Sequence, residues 1–442
     1  MGFQAGVAEV VLAPPAGTPM AGYMARQGPS RGWLDPLVAQ ALYLEGHRGR
    51  AVIVCADLIA VDWDLTRAVR DVLGPGLGVP AAGVMVAASH THSSYAGVVD
   101  RLHVADRPQS DPCLREYTAR SLAGVAKLAA MAPENCYLSL GRATVRGVGA
   151  NRDDPSIPVD PEVTVLALSR QDGSLIAVLV NYACHPTVLG ADNLLLSSDF
   201  VGPMRRTVQK RLRAAGLGCP PVLYTNGAAG DVSPRFTRRA QTWAEARRMG
   251  CLVGIAAATA VLGAEPVKGS LAVACGERDV ALPARILDPD DLKHRVAAAE
   301  SELRRAEQMG RSHGELRRLR TMWEGALVQR EMYGRLPVQL TTHLQVLLLG
   351  PIALVGVPGE LFSCLGLHLK ERSPVPATVV VGYANDYLGY IADRDAYAGG
   401  AYEVLVSPLA EGSGEILVEQ LLRLCEDVYK AAAGVDTGGG RN

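Results

Sequence analysis

"VMVAASHTHSSY", residues 84–95, joins an apolar, β-branched run to two histidines separated by one threonine. In an extended chain, residues i and i+2 point to the same side. His90 and His92 therefore stand side by side where a strand ends. The residues alone leave three readings: two metal ligands, one ligand beside a proton carrier, or two loop histidines capping turns.

The same pattern of an apolar strand delivering reactive residues recurs along the chain. Candidate strands lie at 39–45, 51–58, 83–89, 162–169, 174–182, 220–225, 270–282, 343–357 (broken at Gly350-Pro351) and 377–383. Candidate helices lie at 63–73, 114–131, 199–215, 239–262, 361–372 and 412–432. This alternation predicts an α/β fold, a mostly buried mixed sheet flanked by helices. Residues 1–432 read as one catalytic domain and 433–442 as a disordered tail. The Arg-, Glu- and Leu-rich stretch 289–331 reads as a helical hairpin insertion: a cap over the site, a homo-oligomer contact, or simply a solvated amphipathic excursion.

Composition narrows the function. The chain has 442 residues, 48% of them hydrophobic and 20% charged, enough to bury a large core. Its 44 basic and 45 acidic side chains nearly cancel, which argues against nucleic acid or an anionic membrane as partner. No uncharged apolar run is long enough to span a membrane. The start, "MGFQAGVAEVVLAPP", lacks the layout of a signal peptide, and the nine cysteines form no C-x-x-C pair. A cytoplasmic, reducing setting is expected.

Five strand ends carry the chemistry: His90 and His92; Cys184-His185; Asn226, Asp231 and Ser233; Glu360; and Asn385, Asp386, Tyr387 and Tyr390. In open α/β sheets the site lies outside the carboxyl ends of the strands. Two imidazoles and a carboxylate suit a zinc ion that keeps a position open for water or substrate. His90, His185 and Glu360 are the ligand candidates on these grounds. The bland alternative is turn-capping histidines with Glu360 capping its helix. Cys184, facing away from His185, reads as a buried thiol. Ser233 lacks the G-x-S-x-G elbow and reads as a structural turn serine sooner than a nucleophile.

Several stretches are similar to the neutral/alkaline (non-lysosomal) ceramidase family, in its catalytic N-terminal domain. They are "SHTHS" at 89–93, "NYACHPT" at 181–187, "NGAAGDVSP" at 226–234, "VPGE" at 357–360 and "GY-x-x-x-Y" at 382–387, leading to Tyr390 and "AYE" at 401–403. The openings "AGVAEVVLAPPAGTPMAGY" and "DPLVAQALYLE" resemble the family's start. The resemblance implies hydrolysis of an N-acyl amide with one zinc ion per chain. It implies His90, His185, Glu360 and Tyr390 as ligands, His92 as the proton-handling residue, and Arg152 and Tyr402 as groups on the substrate carbonyl. Ser233, Asn226 and Tyr95 are expected to line the substrate.

The departures concern the substrate. Ser94-Tyr95 replaces the family's Gly-Pro, and Asp153-Asp154 follow Arg152, where two acids would discourage an anionic or greasy ligand. Only four Phe and four Trp are present to line an acyl tunnel. The expectation is a zinc-dependent amidohydrolase acting on a small N-acylated molecule other than ceramide. A zinc esterase or amide-forming acyltransferase on the same site is the alternative. A zinc-independent Ser233 hydrolase and a non-catalytic ligand-binding relative are the further ones.

Overall fold

The computed structural model describes residues 3–100, 110–269, 271–332 and 336–434. Most of the tail assigned to 433–442 lies outside the described residues. The α/β class holds, but among the described residues the expected single sheet is three larger sheets and two two-stranded ladders.

The first sheet runs β4-β3-β2-β1-β5, from β1 Gln4–Leu12, β2 Leu37–Glu45, β3 Arg50–Ala56, β4 Val84–Ala88 and β5 Glu134–Asn135. All its pairings are antiparallel except β3 with β4. That parallel step is made through helix α1 Trp63–Leu73, started by Asp62, whose carboxylate accepts from Leu65 N at 2.8 Å. α1 and α2 (Pro112–Ala130) cover one face, where Leu65, Val69, Leu122 and Ala126 meet Val52, Val54 and Val86.

The second sheet runs β10-β9-β8-β6-β12, from β6 Tyr137–Thr144, β8 Glu162–Ser169, β9 Leu175–Tyr182, β10 Val222–Asn226 and β12 Glu265–Pro266. β9 and β10 are its parallel pair, linked through α3 Val201–Ala214. α3 and α4 (Trp243–Leu262) pack on it through Phe200, Met204, Met249 and Val253. A small ladder joins β7 Ala150–Asn151 to β11 Val232–Ser233.

The third sheet holds β13 Val273–Pro283, β14 Gln339–Leu349, β15 Ile352–Gly356 and β17 Ala377–Val381 in that order. β15 and β17 are parallel, with α7 Ser363–Arg372 between them and α10 Ser413–Ala433 packed alongside. The two-residue strands β16 Glu360–Leu361 and β18 Tyr390–Ile391 also pair in parallel. Short helices α8 Arg394–Gly399 and α9 Tyr402–Val406 follow. Between β13 and β14 stand α5 Pro289–Gln308 and α6 His313–Met332, which touch through Leu303, Ala306 and Leu319.

One core joins all three sheets. Ile53 and Met85 of the first pack with Leu166, Leu179 and Leu223 of the second and Leu347, Leu354 and Val379 of the third. The doubly buried runs therefore face a helix on one side and another sheet on the other, which is why composition could not separate three sheets from one. Each of the three larger sheets contributes one parallel pair, and the carboxyl ends of these pairs meet. Asn385 N donates to Val86 O at 2.7 Å, Gly382 N to Asn226 O at 2.9 Å, and Asn226 Nδ2 to Ser89 O at 3.2 Å.

The segment after His185 is tied down by Asp199, whose carboxylate accepts from the amides of Val188, Leu189 and Phe200 at 3.2, 2.9 and 2.7 Å. Burial pushes its pKa up to about 6, against the lowering effect of those amides. An acid with a raised folded pKa takes up a proton on folding between its unfolded and folded values. Its contribution to stability therefore falls as pH rises from about 4 to about 6. Denaturant titrations across that range should show Asp199→Asn gaining on the wild type by roughly 2–3 kcal/mol.

Candidate metal centre and substrate cavity

His90 opens the site. Its amide donates to Leu58 O at 2.9 Å and its Nδ1 to Ile59 O at 2.6 Å. It holds φ 67, and Tyr383, stacked on it at 4.0 Å between ring centroids, holds φ 55. A bulky side chain in the left-handed region costs about 1–2 kcal/mol, so the surrounding core opposes real strain here. His185 is oriented the same way. Its amide donates to Val232 O at 2.9 Å and its Nδ1 to Ala229 O at 2.7 Å.

With both Nδ1 atoms donating to carbonyls, both Nε2 atoms turn inward. They meet Glu360 Oε2, 3.3 Å from His90 Nε2 and 3.0 Å from His185 Nε2. The other oxygen, Oε1, accepts from the Tyr387 hydroxyl. Gly230 allows this approach, since a Cβ there would lie 2.3 Å from Glu360 O. All three inward groups are buried.

Burial, reinforced by Arg152, pushes His185 down to about 4, so its ring is neutral near pH 7. Burial opposes ionisation of Glu360, but His90 and His185 beside it hold it well below the usual carboxylate range. The two Nε2 atoms and the carboxylate oxygen Oε2 then face one another, and Oε2 has no hydrogen-bond partner. This donor set fits a divalent cation.

His92 joins the same centre with a different attachment. Its Nε2 lies 3.2 Å from His90 Nε2, and ligand atoms of His90, His92 and His185 all fall within 4.8 Å of one another. Unlike the other two rings, its buried Nδ1 has no partner. Burial, then the neighbouring His90 and His185, depress its basicity. Gly22 makes room for it: at φ 102, a Cβ would lie 2.6 Å from His92 Cβ.

Arg152 lies beside this cluster. Its Nη1 is 3.4 Å from His185 Nε2, its Nε pairs with Glu403, and its guanidinium sits 4.9 Å over the Tyr390 ring. Tyr390 stands opposite Glu360 in the β16–β18 pair. Its hydroxyl is pushed well above the usual tyrosine range by burial, though Arg152 opposes this. Tyr402 packs edge-on to Tyr390, with centroids 6.5 Å apart, and against Gly325 of α6.

These groups open into a cavity of about 460 Å³, lined by His90, His92, Arg152, Glu360, Tyr390 and Tyr402 among others. Ser233 also lines it, and its Oγ accepts from Arg235 N at 3.3 Å. α6 forms a wall through Arg317, Glu324, Val328 and Met332.

Two residues expected at the substrate lie elsewhere. Tyr95 is fully buried in the first core, with its hydroxyl 2.9 Å from Thr118 Oγ1. Asn226 spends its amide on Cys184 N, Cys184 O and Ser89 O, bracing the His185 strand against the His90 loop. Asp153 and Asp154 do not line the cavity either, so the acids after Arg152 are no barrier within it. Cys184 is buried, and burial holds its thiol well above the ordinary range.

The profile described as neutral/alkaline non-lysosomal ceramidase, N-terminal, matches residues 3–252. The chain belongs to the neutral/alkaline ceramidase family. Hydrolysis of an amide bond is the chemistry that goes with the family. Among solved structures, neutral ceramidase from Pseudomonas aeruginosa is 18% identical with a TM-score of 0.73, and a ceramidase complexed with C2 is 17% identical with 0.75. Both cover 100% of this chain, which spans 76% and 77% of theirs. At that identity the likeness speaks for the fold. No curated protein matches in sequence.

Glu403 and Tyr387 had no assigned role from sequence, although both sit in the stretches that resemble the family. Their partners are Arg152 and Glu360, the latter 27 residues from Tyr387, and no local spacing announces either pair. Replacing Asn226 with Ala should cost about 2–4 kcal/mol in denaturant titrations, because it leaves Cys184 N and two carbonyls buried without partners.

Proposed function

We propose that the protein is a zinc-dependent hydrolase of N-acyl amides, working on a small substrate other than ceramide. The observation that carries the metal reading is the convergence of His90 Nε2, His185 Nε2 and the unpartnered Glu360 Oε2. These three, with Tyr390, are the proposed ligands. A zinc ion there would polarise the substrate carbonyl and lower the pKa of a water molecule.

The residues divide the remaining work. Ligand histidines almost always donate their second ring nitrogen to a fixed acceptor, which orients the lone pair. His90 and His185 do so, whereas His92 Nδ1 has no such anchor. That difference supports His92 as the proton carrier. Its Nε2 would accept a proton from the attacking water and return it to the departing amine nitrogen. Arg152, held by Glu403, and Tyr402 are assigned to the carbonyl oxygen, where one well-placed donor is worth about 3 kcal/mol. Ser233 keeps a turn in place beside them.

Metal analysis and kinetics test the assignment. The wild type should carry one zinc per chain, and His90→Ala and Glu360→Ala should lose it. His92→Ala should keep the metal while kcat on an N-acyl amide falls roughly 100- to 10,000-fold. Stoichiometric zinc in both ligand variants would sink the ligand set. Full activity after chelation would transfer the chemistry to Ser233.

A further inference from the structure

The cavity wall away from the histidines has an uneven charge distribution. Arg235 and Arg238 come from the turn after β11, and Arg317 from the facing wall of α6; all three line the cavity. Their hydrogen bonds go to neutral acceptors: Arg235 to Arg152 O at 3.3 Å, Arg238 to Thr187 O at 2.5 Å, and Arg317 to Gln241 Oε1 at 3.3 Å. Among the described residues, no carboxylate lies within ion-pair distance of any of the three, whereas Arg152 has Glu403 and Arg320 has Glu307. Gln241, also on the wall, has a buried Nε2 without a hydrogen-bond partner.

The electrostatics agree with this arrangement. Arg235 is exposed, and partial desolvation and then Arg152 hold it below the ordinary guanidinium range, despite help from Glu403 and Asp153. Burial likewise lowers Arg238, with Arg317 and Arg235 adding to it and Tyr23 and Asp199 opposing. Asp192 and Glu324 share the lining and offset part of the charge. Arg235 and Arg317 are exposed at the cavity and Arg238 is half-buried, the three act on one another electrostatically, and among the described residues no multivalent acceptor joins them. Elsewhere the same wall is apolar, through Val328, Met332, Val406 and Pro408.

We propose that Arg235, Arg238 and Arg317, with Gln241 Nε2, bind an anionic group on the amine portion of the substrate, so that the substrate is an N-acylated amine bearing a carboxylate or phosphate. The acyl chain lies along Val328, Met332 and Val406. Guanidinium forks are suited to either oxyanion, since both present paired oxygens. This assignment deepens the amide-hydrolase reading and rests on it for turnover, though not for binding.

The test uses the metal-loaded protein and three probes of one chain length: N-octanoylglycine, neutral N-octanoylglycinamide and N-octanoylaminomethylphosphonate. The carboxylate, the phosphonate or both should exceed the glycinamide in kcat/KM by about tenfold or more. Whichever leads names the natural anion. Arg317→Gln and Arg238→Gln should each lower the anion-to-neutral ratio several-fold, and added salt should lower it in the wild type. A ratio near one in the wild type, or one unchanged in both variants, overturns the proposal. An unchanged ratio would mean that the metal holds the anion. If none of the probes is cleaved, the amide-hydrolase reading fails for this chemistry, and calorimetry decides the anion site separately. Tighter binding of an anionic probe than of the glycinamide, weakened in Arg317→Gln, upholds the site, and equal binding overturns it.

Discussion

Two imidazole nitrogens, His90 Nε2 and His185 Nε2, are held 3.3 and 3.0 Å from one carboxylate oxygen, Glu360 Oε2, inside the protein. Left to themselves these groups would separate or ionise. They stay because each is fixed from behind: His90 by Ile59 O, His185 by Ala229 O, and Glu360 by the Tyr387 hydroxyl. The structure is arranged to supply those backings. A bound cation would convert the repulsion into a strong local attraction and would then couple the site to the fold's stability.

The backing groups come from three different sheets, and the sheets are held in mutual register by polar links as well as by packing. Asn226 ties the first and second sheets, and Asn385 ties the third to the first through Val86 and Gln345. These asparagines are buried, with their amides satisfied by backbone or amide partners. Removing one exposes several buried partners at once, which is why such braces bear more on the site's geometry than a single hydrogen bond would suggest. Tyr383 adds a second kind of brace, a ring stacked flat on His90 from a strained backbone.

Much of the fold was legible. The apolar runs at 51–58, 162–169 and 377–383 and the helices at 63–73 and 412–432 match observed elements to within about two residues, since strong periodicity and clear caps announce them. β1 and β6 escaped notice. Their polar and small residues, such as Glu9, Gly6 and Arg142, interrupt the apolar signal, and Gly6 and Gly141 admit the carbonyls of Ala129 and Ala260. The inward-facing His90, His185 and Glu360 were nameable from residue type and strand-end position. Tyr95 was misjudged because it is next to the histidine loop in sequence, while its side chain turns into the core against Thr118.

By itself the sequence determined which residue types stand at the ends of which strands, because side-chain alternation and strand termination are local properties of the chain. It also determined, through its resemblance to a family, the reaction class those residues serve. The tertiary structure alone decided that the parallel ends belong to three sheets and that Glu403 and Tyr387 orient Arg152 and Glu360. It alone also brought Arg235, Arg238 and Arg317 to the same wall. Those are matters of distance between residues far apart in the chain, set by how whole sheets and helices pack, and no pattern of neighbours encodes them.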